Sequence, residues 1–201
     1  MIAWNSTVRR NDPEKVKMKQ VPLQQGPEKG FVPTSRLQPV AGVAHVDQDE
    51  VSRALHELGS FVSQFWGKEL IGKAAGESAD RFKRSQIVNI WRPLAGPVTN
   101  APLAMCDFRS LGSGDMAKHG HMFGVGYDIH HSTTQSWSYI RHQQPDEIIF
   151  LKCYDSYQGS DGSAAYGGHT AVKVDSDEEG IAPELIKPRE SIEVRLVALW
   201  E

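Results

Sequence analysis

The chain has 201 residues, 39% hydrophobic and 23% charged, with a formal net charge of -3. That length suits one domain with an appended segment, and the slightly acidic balance gives no electrostatic footprint for nucleic acid. Cys106 and Cys153 stand far apart, which argues against a disulfide framework or a thiolate zinc site. The start has no signal-like apolar region, and no run reaches the roughly 18 apolar residues of a membrane span, so a soluble protein of the reducing cytoplasm is expected.

Residues 1–38 carry seven Lys/Arg against three Asp/Glu, with Pro13, Pro22, Pro27 and Pro33 breaking any period. They read as an extended, poorly packed basic arm ahead of a domain over 39–201, available to close over a pocket as a lid. From Asp47 the pattern turns helical: Val51, Ala54, Leu55, Leu58, Val62 and Phe65 recur at three- and four-residue steps, and Gly67 is a natural stop. Seven short strand-like runs follow, "QIVNIW", "PLAMCDF", "FGVGYDI", "SWSYIR", "EIIFLKCY", "TAVKV" and "SIEVRLVAL", separated by Gly, Pro, Asp and Ser clusters. A mainly β barrel or jelly roll with flanking helices is the predicted architecture. No phosphate-cradling or serine-hydrolase motif is present.

Within "VAHVDQD", His45 and Asp47 stand two apart, so on an extended strand they share a face and can offer an imidazole and a carboxylate to one ion. Two histidines and one carboxylate on one face suit Fe(II) with open positions for a cosubstrate and oxygen. Chance alone supplies about half an H-x-D pair in a chain of this composition, and Asp47 as a helix N-cap is the plain alternative. Two later features add to it. His169 follows two glycines at the start of a strand in "AYGGHTAVKV", and "PRESIEVRLVAL" sets Arg189 and Ser191 on one strand face. A guanidinium fork and a hydroxyl can grip a carboxylate such as the far one of 2-oxoglutarate. Arg195, six residues along the same strand and so on the same face, is the second candidate for that role.

The stretches "QIVNIWRPLAGPVTNAPLAMCDFRSL", "DEIIFLKCYDS" and "KPRESIEVRLVAL", with "AHVDQD" upstream, resemble the Fe(II)/2-oxoglutarate oxygenase family of gibberellin desaturase and the cephamycin 7-hydroxylase component. The resemblance covers residues 37 to 200. It implies a double-stranded β-helix (jelly roll), dioxygenase chemistry on a small-molecule intermediate of secondary metabolism, and O2 as co-reactant. His45, Asp47 and His169 are carried over as metal ligands and Arg189 as the cosubstrate anchor. Homo- or hetero-oligomers are compatible with it.

Other constellations have plainer readings. "HGH" (His119, His121) resembles a cupin's first metal motif but lacks the following glutamate, and the rings of His130 and His131 point to opposite faces of a strand. A cupin-like metal protein is thus a weaker alternative, behind a family-shaped partner subunit without catalysis. Trp91 and Arg92 can line a substrate pocket, or sit in the core and in a structural ion pair. Asp107 and Arg109 read as an internal pair. Asp155 reads as a turn residue rather than an acid catalyst.

Overall fold

A computed structural model describes residues 2–11, 32–38, 40–47, 83–121, 124–157, 161–175 and 180–200. The strands among them are β1 (Ile2–Arg10), β2 (Val32–Gln38), β3 (His45–Val46), β4 (Arg84–Pro93), β5 (Leu103–Cys106), β6 (Met116–His121), β7 (Gly124–Ile129), β8 (Trp137–Tyr139), β9 (Ile149–Asp155), β10 (His169–Ala171) and β11 (Glu190–Trp200). One sheet runs β2-β1-β11-β4-β9 and the other β6-β7-β3-β10-β5-β8. Among the described strands only β1 and β2 pair in parallel. The chain changes sheet at β2–β3, β3–β4, β4–β5, β8–β9, β9–β10 and β10–β11, the alternation of a jelly roll.

All seven expected runs overlap a strand, the least being "TAVKV", of which only Thr170 and Ala171 belong to β10, and "SWSYIR", of which Trp137–Tyr139 pairs. The expected helix over Val51–Phe65 lies outside the described residues. The described helical turns are three 3-10 turns, at Phe108–Ser110, Ser113–Asp115 and Pro183–Leu185.

The N-terminal segment departs from expectation. Instead of a loose arm, β1 is an interior strand, paired with β11 from Ile2↔Val197 to Arg10↔Glu190, and Ser6 and Thr7 are buried. Its partner β2 comes from the same segment. The reason is backbone pairing: β11 has β4 on one side and needs a second strand to satisfy the amides and carbonyls on its other edge.

Alternation along β4 shows how the sheets are held together. Ile87, Asn89, Trp91 and Pro93 point inward while Gln86, Val88, Ile90 and Arg92 do not. Trp91 packs with Leu151 of β9 and, from the opposite sheet, Leu103 of β5, with Met105 and Ile149 alongside. Each such large side chain contributes about 1.5–3 kcal/mol by leaving water, so this cluster pins the two sheets beside the site.

Candidate metal and carboxylate site

Three of the sequence candidates converge. His45 on β3 stands opposite His169 on β10, ring centroids 4.4 Å apart. Asp47 sits one residue past β3 and turns its carboxylate between the two rings: His45 Nε2 is 3.6 Å from Oδ1, and His169 Nε2 is 3.7 Å from Oδ2. The three donor atoms lie within 4.8 Å of one another, the one such group of potential metal ligands among the described residues.

The backbone sets the histidine tautomers. His45 Nδ1 is 2.7 Å from the Val43 carbonyl and His169 Nδ1 is 3.1 Å from the Gly167 carbonyl. A carbonyl only accepts, so each Nδ1 donates, which leaves Nε2, on the side of Asp47, as the nitrogen available to a metal. Burial, followed by the neighbouring His169, lowers the pKa of His45 and favours its neutral form. Burial would raise the Asp47 pKa, but Arg195, then His169 and His45, outweigh it and hold the carboxyl at about 2. The donor set is therefore two imidazoles and one carboxylate, the chemistry that a divalent transition metal takes.

The loop before His169 is shaped for this approach. A Cβ on Gly168 would lie 2.5 Å from Ile129 Cδ1 and 3.5 Å from Cys106 Cβ, and one on Gly167 would lie 3.0 Å from Met105 Cε. The Gly168 carbonyl accepts from Cys106 N at 2.8 Å, tying the loop to β5 directly ahead of the ligand.

Beside the cluster lies a cleft lined by Arg9, His45, Trp91, His169, Arg189 and Glu193, among others. Arg189 is buried, with its guanidinium 5.3 Å over the Trp91 ring. Its Nη1 donates to the Ala101 carbonyl at 2.5 Å, and its Nε has no partner. Burial, then the Arg9 charge, lowers its pKa to about 10. Ser191, one strand repeat away, has a buried Oγ with no partner. A buried cation and a buried hydroxyl with open donors fit a carboxylate.

The other candidates are placed differently. Arg195 is 3.3 Å from Glu193 and 4.0 Å from Asp47, so its charge is engaged by two buried carboxylates, and it does not line the cleft. Trp91 walls the cleft, but Arg92 is exposed on the opposite face of β4, because neighbours on a strand alternate; its expected place in the pocket is corrected. Asp107 and Arg109 do form a two-pronged pair, but an exposed one that caps the Phe108–Ser110 turn. Asp155 is no simple turn residue: it ends β9 fully buried and gathers Arg84, Gln86 and Lys152. His130 and His131 are exposed, and the side chains of His119 and His121 lie outside the described residues. Cys106 and Cys153 are both buried free thiols.

Sequence reasoning missed Arg9, Asn89 and Glu193. Asn89 Nδ2 donates to Asp47 Oδ2 at 2.8 Å and to Glu193 Oε1 at 3.1 Å. A signal existed for Glu193: it falls between Ser191 and Arg195 in the alternation of β11, so it had to share their inward face.

The chain belongs to the oxidoreductase/YMDC permease-like domain family, whose model matches residues 1–199. It is 33% identical over 135 residues to the Fe(II)/2-oxoglutarate-dependent dioxygenase nvfI of Aspergillus novofumigatus, covering 63% of this chain and 46% of the relative. It is 27% identical over 164 residues to the gibberellin cluster GA4 desaturase of Gibberella fujikuroi, covering 67% and 45%. Among solved structures, the iron and alpha-ketoglutarate-dependent endoperoxidase NvfI superposes with a TM-score of 0.64 at 22% identity, over 99% of this chain and 61% of that one. The jelly-roll fold is thereby shared. The chain spans about half the length of the curated relatives it matches. No described helix is long and apolar enough to cross a membrane.

Proposed function

We propose that the chain is an Fe(II)/2-oxoglutarate-dependent oxygenase that hydroxylates or desaturates a small-molecule natural-product intermediate. The observation that carries this is the shared location of two halves of one chemistry: His45 and His169 of the three-ligand cluster border the same cleft as the open-donor Arg189. The names of the relatives support the same reading.

In this reading His45, Asp47 and His169 hold the iron, and their placement on one side leaves the other positions for small ligands. Arg189 binds the far carboxylate of 2-oxoglutarate, with the Ser191 hydroxyl as a second donor. Trp91 walls the cleft and keeps water from the Arg189 charge, which strengthens that contact. Iron with 2-oxoglutarate and O2 supplies the oxidising power that removes hydrogen from a substrate while the cosubstrate is decarboxylated to succinate. The oxygenase unit takes in β1 and β2 from the N-terminal segment as well, since they complete one of its sheets. Its free thiols suit the reducing cytoplasm.

Anaerobic addition of Fe(II) and 2-oxoglutarate tests this directly. A visible charge-transfer band is expected with the wild-type protein and not with His169→Ala or Asp47→Ala, while His119→Ala combined with His121→Ala keeps it. Admitting oxygen should then release succinate. Equal iron binding by wild type and His169→Ala would sink the metal assignment, and a band without any succinate would favour the non-catalytic partner subunit.

A further inference from the structure

Behind the proposed metal ligands lies a polar network for which an apolar core has no use. Asn89, Glu193 and Arg195 come from the two central strands β4 and β11, with Arg195 directly opposite Asn89 in register. Asn89 is fully buried and Glu193 is 4% exposed. A carboxylate this deep is expensive unless it is matched. Arg195 matches it at 3.3 Å and stands 4.0 Å from Asp47 Oδ2 on its other side.

Asn89 connects the two carboxylates. Its single amide nitrogen donates to Asp47 Oδ2 at 2.8 Å and to Glu193 Oε1 at 3.1 Å, so both of its hydrogens are spent on anions. The opposite amide orientation would aim an acceptor at two carboxylates, which fixes the orientation observed. That orientation has a cost: Asn89 Oδ1 is buried with no partner. A buried acceptor is left unmatched here so that two donors can face carboxylates.

We infer that Asn89, braced by Glu193 and Arg195, is a positioning residue that holds the Asp47 carboxylate through Oδ2 and so fixes how Asp47 presents itself to the metal. The inference rests on the metal-site reading above. Asn89 touches neither metal nor substrate and acts through Asp47 alone. Glu193 sets Asn89 by accepting its second hydrogen, and Arg195 braces Glu193 from its other side at 3.3 Å. Because Asp47 lies beyond the end of β3, no strand pairing of its own fixes its side chain, and the side-chain contact takes that role.

Co(II) binding to the purified full chain under argon tests this, read as affinity and as the visible absorption of the bound ion, with a thermal melt of each variant. Asn89→Ala should weaken Co(II) binding by about 10- to 100-fold and alter the visible bands, while the melt remains cooperative. Glu193→Gln, which preserves shape, should alter the bands in the same sense with a smaller loss of affinity, and it carries the test if Asn89→Ala does not fold. Unchanged affinity and bands in the folded variants overturn the positioning role and leave the metal site standing. Absence of Co(II) binding by the wild type overturns the metal-site reading and this inference with it.

Discussion

His45 and His169 are mirror partners. They face each other across the antiparallel β3–β10 pair, and each donates its Nδ1 proton to the carbonyl two residues upstream in its own chain, Val43 for one and Gly167 for the other. Two separate stretches of sequence thus solve the tautomer problem by the same local device. Each ring is oriented by backbone alone, so the pair needs no acidic side chain to set its proton positions.

Arg189 and Arg195 lie on one strand face but should fail in different ways. Arg189→Ala removes open donors from the cleft, a loss of a few kcal/mol, so 2-oxoglutarate affinity should fall by about a hundredfold or more with little change in melting. Arg195→Ala leaves Glu193 and Asp47 without their cation and should cost about 3 kcal/mol of stability. Titration with 2-oxoglutarate and a denaturant midpoint on both variants separate the roles. A larger cosubstrate loss at Arg195 would reverse the assignment.

Gly168→Ala should destabilise the protein by about 1–3 kcal/mol, since the new methyl collides with the buried Ile129 side chain. The displaced loop carries the Gly167 carbonyl that orients His169, so metal affinity should fall as well. Urea unfolding with and without Co(II) measures both, and a variant as stable as wild type would show that the loop has slack.

Asp155 makes stability depend on acid. Burial would raise its pKa, but hydrogen bonds from Arg84 at 2.5 and 3.0 Å, then Gln86, the Tyr157 amide and Lys152, push it well below the ordinary carboxylate range. The unfolded chain therefore binds this proton first as pH falls. The contribution is complete above the unfolded value of about 3.9 and is lost progressively below it. Asp155→Asn should cost about 3 kcal/mol at neutral pH, and its melting temperature should converge on that of the wild type in acid. A gap between the two that stays constant from pH 7 to pH 3 would contradict this.

Removing residues 1–11 should not produce an uncoupled enzyme that has merely lost a lid. It deletes the strand paired with β11 along most of its length and exposes that edge, so the truncated chain should lose cooperative unfolding or precipitate. Circular dichroism and soluble yield report the outcome. A folded, soluble truncation would restore the lid interpretation.

These contrasts show what the amino-acid order makes legible. Runs such as Ile149–Asp155 and Glu190–Trp200 alternate or cluster apolar residues and read as strands at sight. The ligands were readable because H-x-D and R-x-S place chemistry at a strand's own period. β1 was not, because the positions opposite the inward Ser191, Glu193 and Arg195 are Arg9, Thr7 and Asn5, all polar, so the strand lacks the apolar stripe that marks a buried face. Asn89 was hidden for a related reason. A lone amide between Ile87 and Trp91 looks like a solvated position until the carboxylates it serves are brought in from residues 47 and 193, far away in sequence.

The spacing Arg189, Ser191, Glu193, Arg195 also constrains how this protein can change over evolutionary time or in an engineer's hands. Substitutions at Glu190, Ile192 and Val194 alter the other side of β11 and leave the inward row in place. A single inserted or deleted residue between 189 and 195 would be different in kind, since it turns part of that row outward and brings apolar neighbours in. Fold and chemistry are written in one reading frame along this strand, so drift there can proceed by replacement but not by slippage.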